Sequence, residues 1–257
     1  MEIYVIRHGQ TVLNVKKIIQ AQLPGKLTEL GISQAKELGK VISNIKFDYI
    51  YCSDLFRTKE TLQNILTELK YPPKESNIIY TNEIREINLH SLEGKPIELI
   101  NKVHEKNYET HRKNKNDPND ECGVDCFYRV SVFLDKLIRK NLEENYNSNI
   151  TKENVYDLNK NYNEEINNEK FYENFKKGLY YIKNKNEKNI KILLVTHWVV
   201  MGEIINNILF RKKMNMLKGF YVRNAVVSKL EIFKKDDGND LEFSISVLDG
   251  NKPEGVE

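Results

Sequence analysis

The chain has 257 residues, 40% hydrophobic and 30% charged, which is enough for one large domain or two small ones with a full core. Its 40 basic and 37 acidic side chains leave a net charge of +3, too balanced to argue for nucleic acid or an anionic membrane surface as partner. No apolar run approaches the length of a membrane span, and the three cysteines, Cys52, Cys122 and Cys126, are an odd count that does not suggest a disulfide framework.

Glu2-Ile3-Tyr4-Val5-Ile6 is a β-branched and aromatic run that predicts a buried first strand. With a strand from residue 2, no removable targeting segment is expected ahead of it, and the cytoplasm is the expected location. Residues 15–28 read as irregular, with a turn at Pro24-Gly25 and Thr28 as the N-cap of a helix that carries Ala35, Leu38, Val41, Ile42 and Ile45 at helical spacing. Phe47–Cys52 predicts a second strand. Ser53-Asp54 then reads as the cap of a helix with Leu62, Ile65, Leu66 and Leu69 on one face, stopped by Pro72-Pro73. A third strand is expected at Ile78-Ile79-Tyr80, then a segment from Ile84 to Gly94, a helix over 96–110 and a hydrophilic stretch over 111–121.

Val124 to Arg139 predicts a helix, with Val124, Phe127, Val130, Phe133, Leu134 and Leu137 recurring on one side. Residues 141–170, mostly Asn, Lys, Glu and Tyr, read as a low-complexity insertion outside the core. Helix is expected again at Phe171–Lys183. An apolar strand, Ile190–Thr196, leads to His197 and a helix over Val199–Phe210, and two strands, about 225–233 and 241–248, close the chain. This alternation predicts an α/β fold, a three-layer α/β/α sandwich around a mainly parallel sheet.

The chemistry gathers where the first strand gives out, at Arg7-His8-Gly9-Gln10-Thr11-Val12-Leu13-Asn14. In open α/β sheets that carboxyl edge is where ligands bind. Arg7 offers a fork of donors matched to phosphate oxygens. His8 can act as nucleophile or proton carrier, and Gly9 lets backbone N–H groups approach a ligand. Alone, an Arg-His pair after a strand is most often a surface turn. A second histidine after a second apolar strand, Leu193-Leu194-Val195-Thr196-His197, changes the balance.

With Arg7, His8, Gly9, Thr11 and Asn14, the chain carries the Arg-His-Gly-x-Thr-x-x-Asn signature and resembles the histidine phosphatase superfamily, the phosphoglycerate mutase-like proteins. Ser53, Asp54, Arg57 and Thr61 match its Ser-Asp-x-x-Arg-x-x-x-Thr pattern. Glu86, His90 and Gly94 fall on its Glu-x-x-x-Gly-x-x-x-Gly pattern, with His90 in place of the first glycine. The resemblance covers roughly residues 1–140 and 171–250, and implies a single domain over 1–257 with a small helical cap at about 94–140. It implies that His8 attacks phosphorus and becomes phosphohistidine, that Arg7, Arg57 and His197 neutralise the phosphoryl oxygens without a metal or other cofactor, and that Glu86 protonates the leaving alkoxide, with Glu93 as runner-up.

Asn14, Gln20, Ala21 and Trp198 are the further expected substrate or phosphate contacts. Ala21 and Trp198 stand where the family usually has glycine. Asp120-Glu121-Cys122 and Arg129 resemble a cap pattern of the phosphatase members, which would turn Glu121 and Cys122 toward substrate. Tyr221–Ala225 reads as structural. Cys122-x-x-x-Cys126 lacks the ligands of a structural metal site.

The implied partner is a small phosphorylated metabolite or a phosphoprotein, and family members are often homodimers. No proline run follows His111-Arg112-Lys113, which turns the reading from a phosphoglycerate mutase toward a phosphatase. A mutase, or a weakly active or inactive binding protein on the same fold, stays open as an alternative.

Overall fold

A computed structural model describes residues 1–99, 117–142, 150, 189–211, 224, 227–234 and 241–247. Most of the expected insertion over 141–170, the helix at Phe171–Lys183 and most of the helix over 96–110 lie outside them.

Among the described residues, six strands form one sheet: β1 (Glu2–Arg7), β2 (Tyr49–Ser53), β3 (Ile78–Thr81), β4 (Lys191–Thr196), β5 (Val227–Lys234) and β6 (Leu241–Val247), in the order β3-β2-β4-β1-β5-β6. The β3–β2, β2–β4 and β4–β1 pairings are parallel, and β5 and β6 add an antiparallel edge. The α-helices among the described residues are α1 (Val12–Val15), α2 (Glu29–Val41), α3 (Phe56–Leu66), α4 (Gly123–Asn141) and α5 (Trp198–Arg211). This is the expected α/β sandwich around a mainly parallel sheet.

Strand periodicity divides the core. Tyr4 and Ile6 of β1, with Leu193 and Val195 of β4, pack on one face against Ala35 and Leu38 of α2 and Leu62 and Ile65 of α3. Ile3, Val5, Ile192 and Leu194 face the other way, onto Val130, Phe133, Leu134 and Leu137 of α4 and Met201, Ile204 and Ile208 of α5. Strands buried on both faces read as the continuous apolar runs seen in the sequence. The later part of the expected cap, α4, thus builds one layer of the sandwich.

Three local expectations are corrected. Val41 does not join the apolar face of α2; it ends the helix at 65% exposure. Ser53 and Asp54 do not cap α3, whose N-cap is Leu55, without a side-chain bond. Both side chains are engaged elsewhere: Ser53 lies against His197, and Asp54 takes a two-bond ion pair from Arg85. Pro72-Pro73 does not stop α3 either, because the helix has already ended at Leu66.

The sheet order places the site. Chain leaving β1 runs to the α2/α3 face and chain leaving β4 runs to the α5 face, so a crevice opens between two adjacent parallel strands at their carboxyl ends. In register there, Arg7 sits opposite Thr196.

Candidate functional site

His8 and His197 are the first residues beyond β1 and β4. The strand ladder continues into them, the His8 N–H donating to the Thr196 carbonyl at 3.0 Å. Their rings pack edge-on with centroids 5.3 Å apart, and both are almost wholly buried. The Nδ1 of His8 lies 2.8 Å from the Gly9 carbonyl oxygen. A carbonyl can only accept, so this nitrogen carries the proton and Nε2 presents a bare lone pair. Burial, and then the like charges of Arg57 and Arg7, hold the His8 pKa well below the usual imidazole range. The ring is neutral and its tautomer is fixed.

Two close approaches set the loop after β1. A side chain at Gly9 would meet the Gly31 backbone oxygen at 2.4 Å, and one at Gly31 would meet the Gln10 oxygen at 2.1 Å, so only glycines allow this loop to lie on the start of α2. The Gly9 N–H donates to Thr61 Oγ1 at 3.0 Å, from the middle of α3. Thr11 caps α1 in a reciprocal box with Asn14. The Asn14 amide oxygen is thereby engaged, and it also accepts a long 3.4 Å contact from Asn224.

Arg57, in the first turn of α3, is 1% exposed. Its two terminal nitrogens donate to the carbonyls of Ala21 (2.7 Å) and Leu23 (2.9 Å), which leaves buried Nε without a partner among the described residues. The guanidinium shapes the 20–23 loop as well as supplying charge. Burial brings its pKa down to about 10, Arg7 pulling the same way against the attraction of Glu86. Ala21 holds φ of +41°, a left-handed conformation suited to glycine, and the backbone bond to Arg57 keeps it there. The side-chain oxygen of Gln20 is bonded to Thr11 Oγ1. Gln20 is therefore a brace beneath the loop.

Arg7 is buried, with its guanidinium carbon 5.7 Å from the centre of the Trp198 ring. Trp198 opens α5, half-buried against the core. The position usually held by glycine thus backs the first arginine.

Glu86 follows β3 in a loop pinned at several points. The Thr196 hydroxyl donates to the Ile84 carbonyl, and Gln22 Nε2 donates to the Glu86 carbonyl. Glu86 keeps part of its surface open to solvent, yet protein surrounds the carboxyl closely enough that desolvation raises its pKa. Arg57, the Ile87 N–H and Arg7 act against that rise without overcoming it. Glu93, the other expected acid, is committed to the Gln22 N–H at 2.8 Å. His90 lies out on the surface, paired with Asp117 at 2.6 Å.

The structure therefore brings His8, Arg7, Arg57, His197 and Glu86 to one crevice, with Ala21 and Gln20 in the loop that Arg57 shapes. Glu121 does not turn toward that crevice alone: Arg129 grips it with two bonds of 2.8 Å and also donates to the Glu83 and Arg85 carbonyls, while Glu121 accepts the Asn88 N–H. Cys122 caps α4 by bonding Asp125. Beside these groups lies a cavity of about 260 Å³ lined by the polar and charged residues Gln22, Asn82, Glu83, Arg85, Asn88, Glu121 and Arg129. Neither histidine lines it.

Asn224, part of the stretch read as structural, was missed as a site residue. It donates to the His8 carbonyl at 3.0 Å. A lone amide before a late strand gives no sign of this. Ser53, read as a helix cap, reaches His197 instead. Among the described residues no group of three or more His, Cys, Asp or Glu side chains is placed to hold a metal ion, and no helix is long and apolar enough to cross a membrane.

Known proteins resemble the chain in sequence and in shape. It is 42% identical over 94 residues to the mouse (Mus musculus) fructose-2,6-bisphosphatase TIGAR, covering 36% of this chain and 35% of that protein. It is 32% identical over 100 residues to a probable phosphoglycerate mutase of Yersinia pestis, covering 39% and 44%. The chain thus spans about a third to a half of the length of these relatives. A mycobacterial glucosyl-3-phosphoglycerate phosphatase superposes with a TM-score of 0.62 over 96% of this chain and 97% of its own, at 19% identity, a likeness of fold. The model of the histidine phosphatase superfamily (branch 1) matches residues 3–150, more than half of the chain, and the protein belongs to that superfamily.

Proposed function

We propose that this protein is a phosphomonoesterase that works through a phosphohistidine on His8, with Glu86 as general acid and then base. The observation that carries the reading is the pairing of a buried, neutral His8, its Nε2 lone pair freed by the bond from Nδ1 to Gly9, with two buried arginines and a carboxyl whose pKa burial raises, in one crevice. Phosphoryl transfer needs chiefly alignment and neutralisation of the equatorial oxygens. Arg7, the unused Nε of Arg57 and His197 would supply the latter.

In the first step His8 Nε2 bonds to phosphorus as the bond to the leaving oxygen breaks, and Glu86 gives that oxygen its proton. In the second, water attacks phosphorus while Glu86 takes a proton from it, and the N–P bond breaks to release inorganic phosphate. Asn224 and the Gly9–Thr61 bond hold the nucleophile loop, and Trp198 stiffens Arg7 from behind.

The substrate class that fits is a small phosphorylated metabolite with a hydroxylated leaving group, supported by the amide, carboxylate and guanidinium side chains around the cavity beside the Glu86 loop. The bisphosphatase and phosphatase names of the relatives agree with it. A mutase would need the phosphohistidine shielded from water, and the mutase name among the relatives keeps that second reading in the test. Purified protein and His8→Ala would be assayed for release of inorganic phosphate from sugar bisphosphates, phosphoglycerates and an aryl phosphate. Release that vanishes in the variant is expected. Transfer to an added monophosphoglycerate in place of release would make the protein a mutase, and release undiminished in His8→Ala would overturn the phosphohistidine reading.

A further inference from the structure

Ser53 ends β2 and His197 follows β4, and both side chains are 0% exposed. Ser53 Oγ lies 2.8 Å from His197 Nε2, so one of the two donates to the other. The second ring nitrogen, Nδ1, is buried and has no hydrogen-bond partner among the described residues. His197 packs against His8 and lies close to Arg57 and Arg7, which with burial keep the ring uncharged. A neutral imidazole has one N–H, and the choice of nitrogen decides what Nδ1 can do.

If Nε2 held the proton, Nδ1 would be a bare lone pair facing a phosphoryl group that is itself rich in lone pairs. The Ser53 hydroxyl hydrogen would then also need an acceptor, and none but His197 is found among the described residues. In the other arrangement the parts agree. Ser53 Oγ accepts the Leu55 N–H, at a long 3.4 Å, and gives its own hydrogen to Nε2. The proton then sits on Nδ1, and the only unmet group is a donor that an incoming phosphoryl oxygen would satisfy.

We propose that Ser53 is a positioning residue that holds His197 in the tautomer with its proton on Nδ1, which makes His197 a fixed donor to the phosphoryl oxygens; the donor role rests on the reaction proposed above, the tautomer does not. Residues in matching places on two neighbouring strands thereby act as one unit, much as the Gly9 carbonyl sets the tautomer of His8. Both histidines would carry the proton on Nδ1. One would offer its other nitrogen as nucleophile, and the second would offer Nδ1–H as donor.

The test reads the ring directly. In ¹⁵N-labelled full-length protein, long-range ¹H–¹⁵N correlations would identify the protonated nitrogen of His197, assigned by its loss in His197→Gln. The expected result is a protonated Nδ1 and a bare, hydrogen-bonded Nε2. A proton on Nε2 overturns the proposal, and this spectrum decides the matter even if variants fold poorly.

Ser53→Ala is expected to yield a mixed or reversed tautomer and a kcat lower by roughly tenfold or more with KM little changed. Ser53→Thr, which keeps the hydroxyl, is expected to retain the wild-type tautomer. An unchanged tautomer in Ser53→Ala overturns the role of Ser53. A protonated Nδ1 in a protein without phosphomonoesterase activity would leave the tautomer standing and sink the phosphatase reading alone.

Discussion

At the scale of single residues, the site works by setting charge states. Burial keeps His8 neutral and raises the pKa of Glu86, since it disfavours the charged form of each; the arginines oppose the protonation of His8 and favour the ionisation of Glu86. For Glu86 burial prevails. In the proposed mechanism the active form has Glu86 protonated and His8 unprotonated, so activity is expected to fall as pH rises through the raised carboxyl pKa and to fall again as pH drops through the depressed imidazole pKa. Glu86→Gln should lower kcat by ~10²–10⁴-fold for alkyl phosphates and flatten the alkaline limb of kcat/KM. An aryl phosphate, whose leaving group needs little protonation, should lose much less.

Much of this was legible in the sequence, because motif residues at strand ends keep their spacing whatever surrounds them. Arg7, His8, Arg57, Glu86 and His197, each named from a sequence motif, lie near one another in the fold. Two other assignments were hidden for a physical reason. Ser before a helix ordinarily reads as an N-cap, and only the neighbouring strand shows that Ser53 faces His197. Asn224 joins the His8 loop across 216 residues of chain, a contact that no local pattern encodes.

At the scale of elements, the Glu86 loop has almost no secondary structure and is held by bonds from outside. Arg129 of α4 supplies the most: two bonds to Glu121 and one each to the carbonyls of Glu83 and Arg85. Arg129→Met would leave the largely buried Glu121 carboxylate unpaired and two carbonyls without their donor. With side chains 21% exposed, solvent recovers part of that loss, so ~2–3 kcal/mol of destabilisation is expected in urea titration. The double variant Arg129→Met, Glu121→Leu should recover part of it, since no charge is then stranded. A double variant as unstable as the sum of the singles would contradict this view of the pair.

The helix spacing of α4 was readable because its apolar stripe is long. The start of α3 was not, since Leu55 caps it by backbone shape alone and leaves no polar signature.

At the scale of the whole molecule, the two-faced sheet and its crevice followed from alternating strands and helices, whereas the strand order did not. Insertion of β4 between β1 and β2 is a long-range choice that apolar runs cannot distinguish from other orders. One buried group ties overall stability to pH. Glu203 of α5 is 7% exposed, and burial pushes its pKa up to about 7 against a hydrogen bond from Asn206.

In the unfolded chain this carboxyl ionises near 4.5. Between there and about 7 the folded form holds a proton that the unfolded form has lost, so rising pH favours unfolding across that window. The full effect is on the order of 3 kcal/mol. Glu203→Gln should therefore be more stable relative to wild type at pH 8 than at pH 5, as read by thermal or urea unfolding at both. An equal difference at the two pH values would place the titration elsewhere.

The central claim is the covalent intermediate, and trapping it tests the account most directly. Wild-type protein would be mixed rapidly with excess aryl phosphate, quenched in alkali, where a phosphohistidine survives, and digested for mass spectrometry. The account predicts one added phosphoryl group on the peptide containing His8, sensitive to acid and absent from His8→Ala, which should also lose turnover. Full turnover in His8→Ala, or wild-type turnover with the phosphoryl group on another residue, would contradict it.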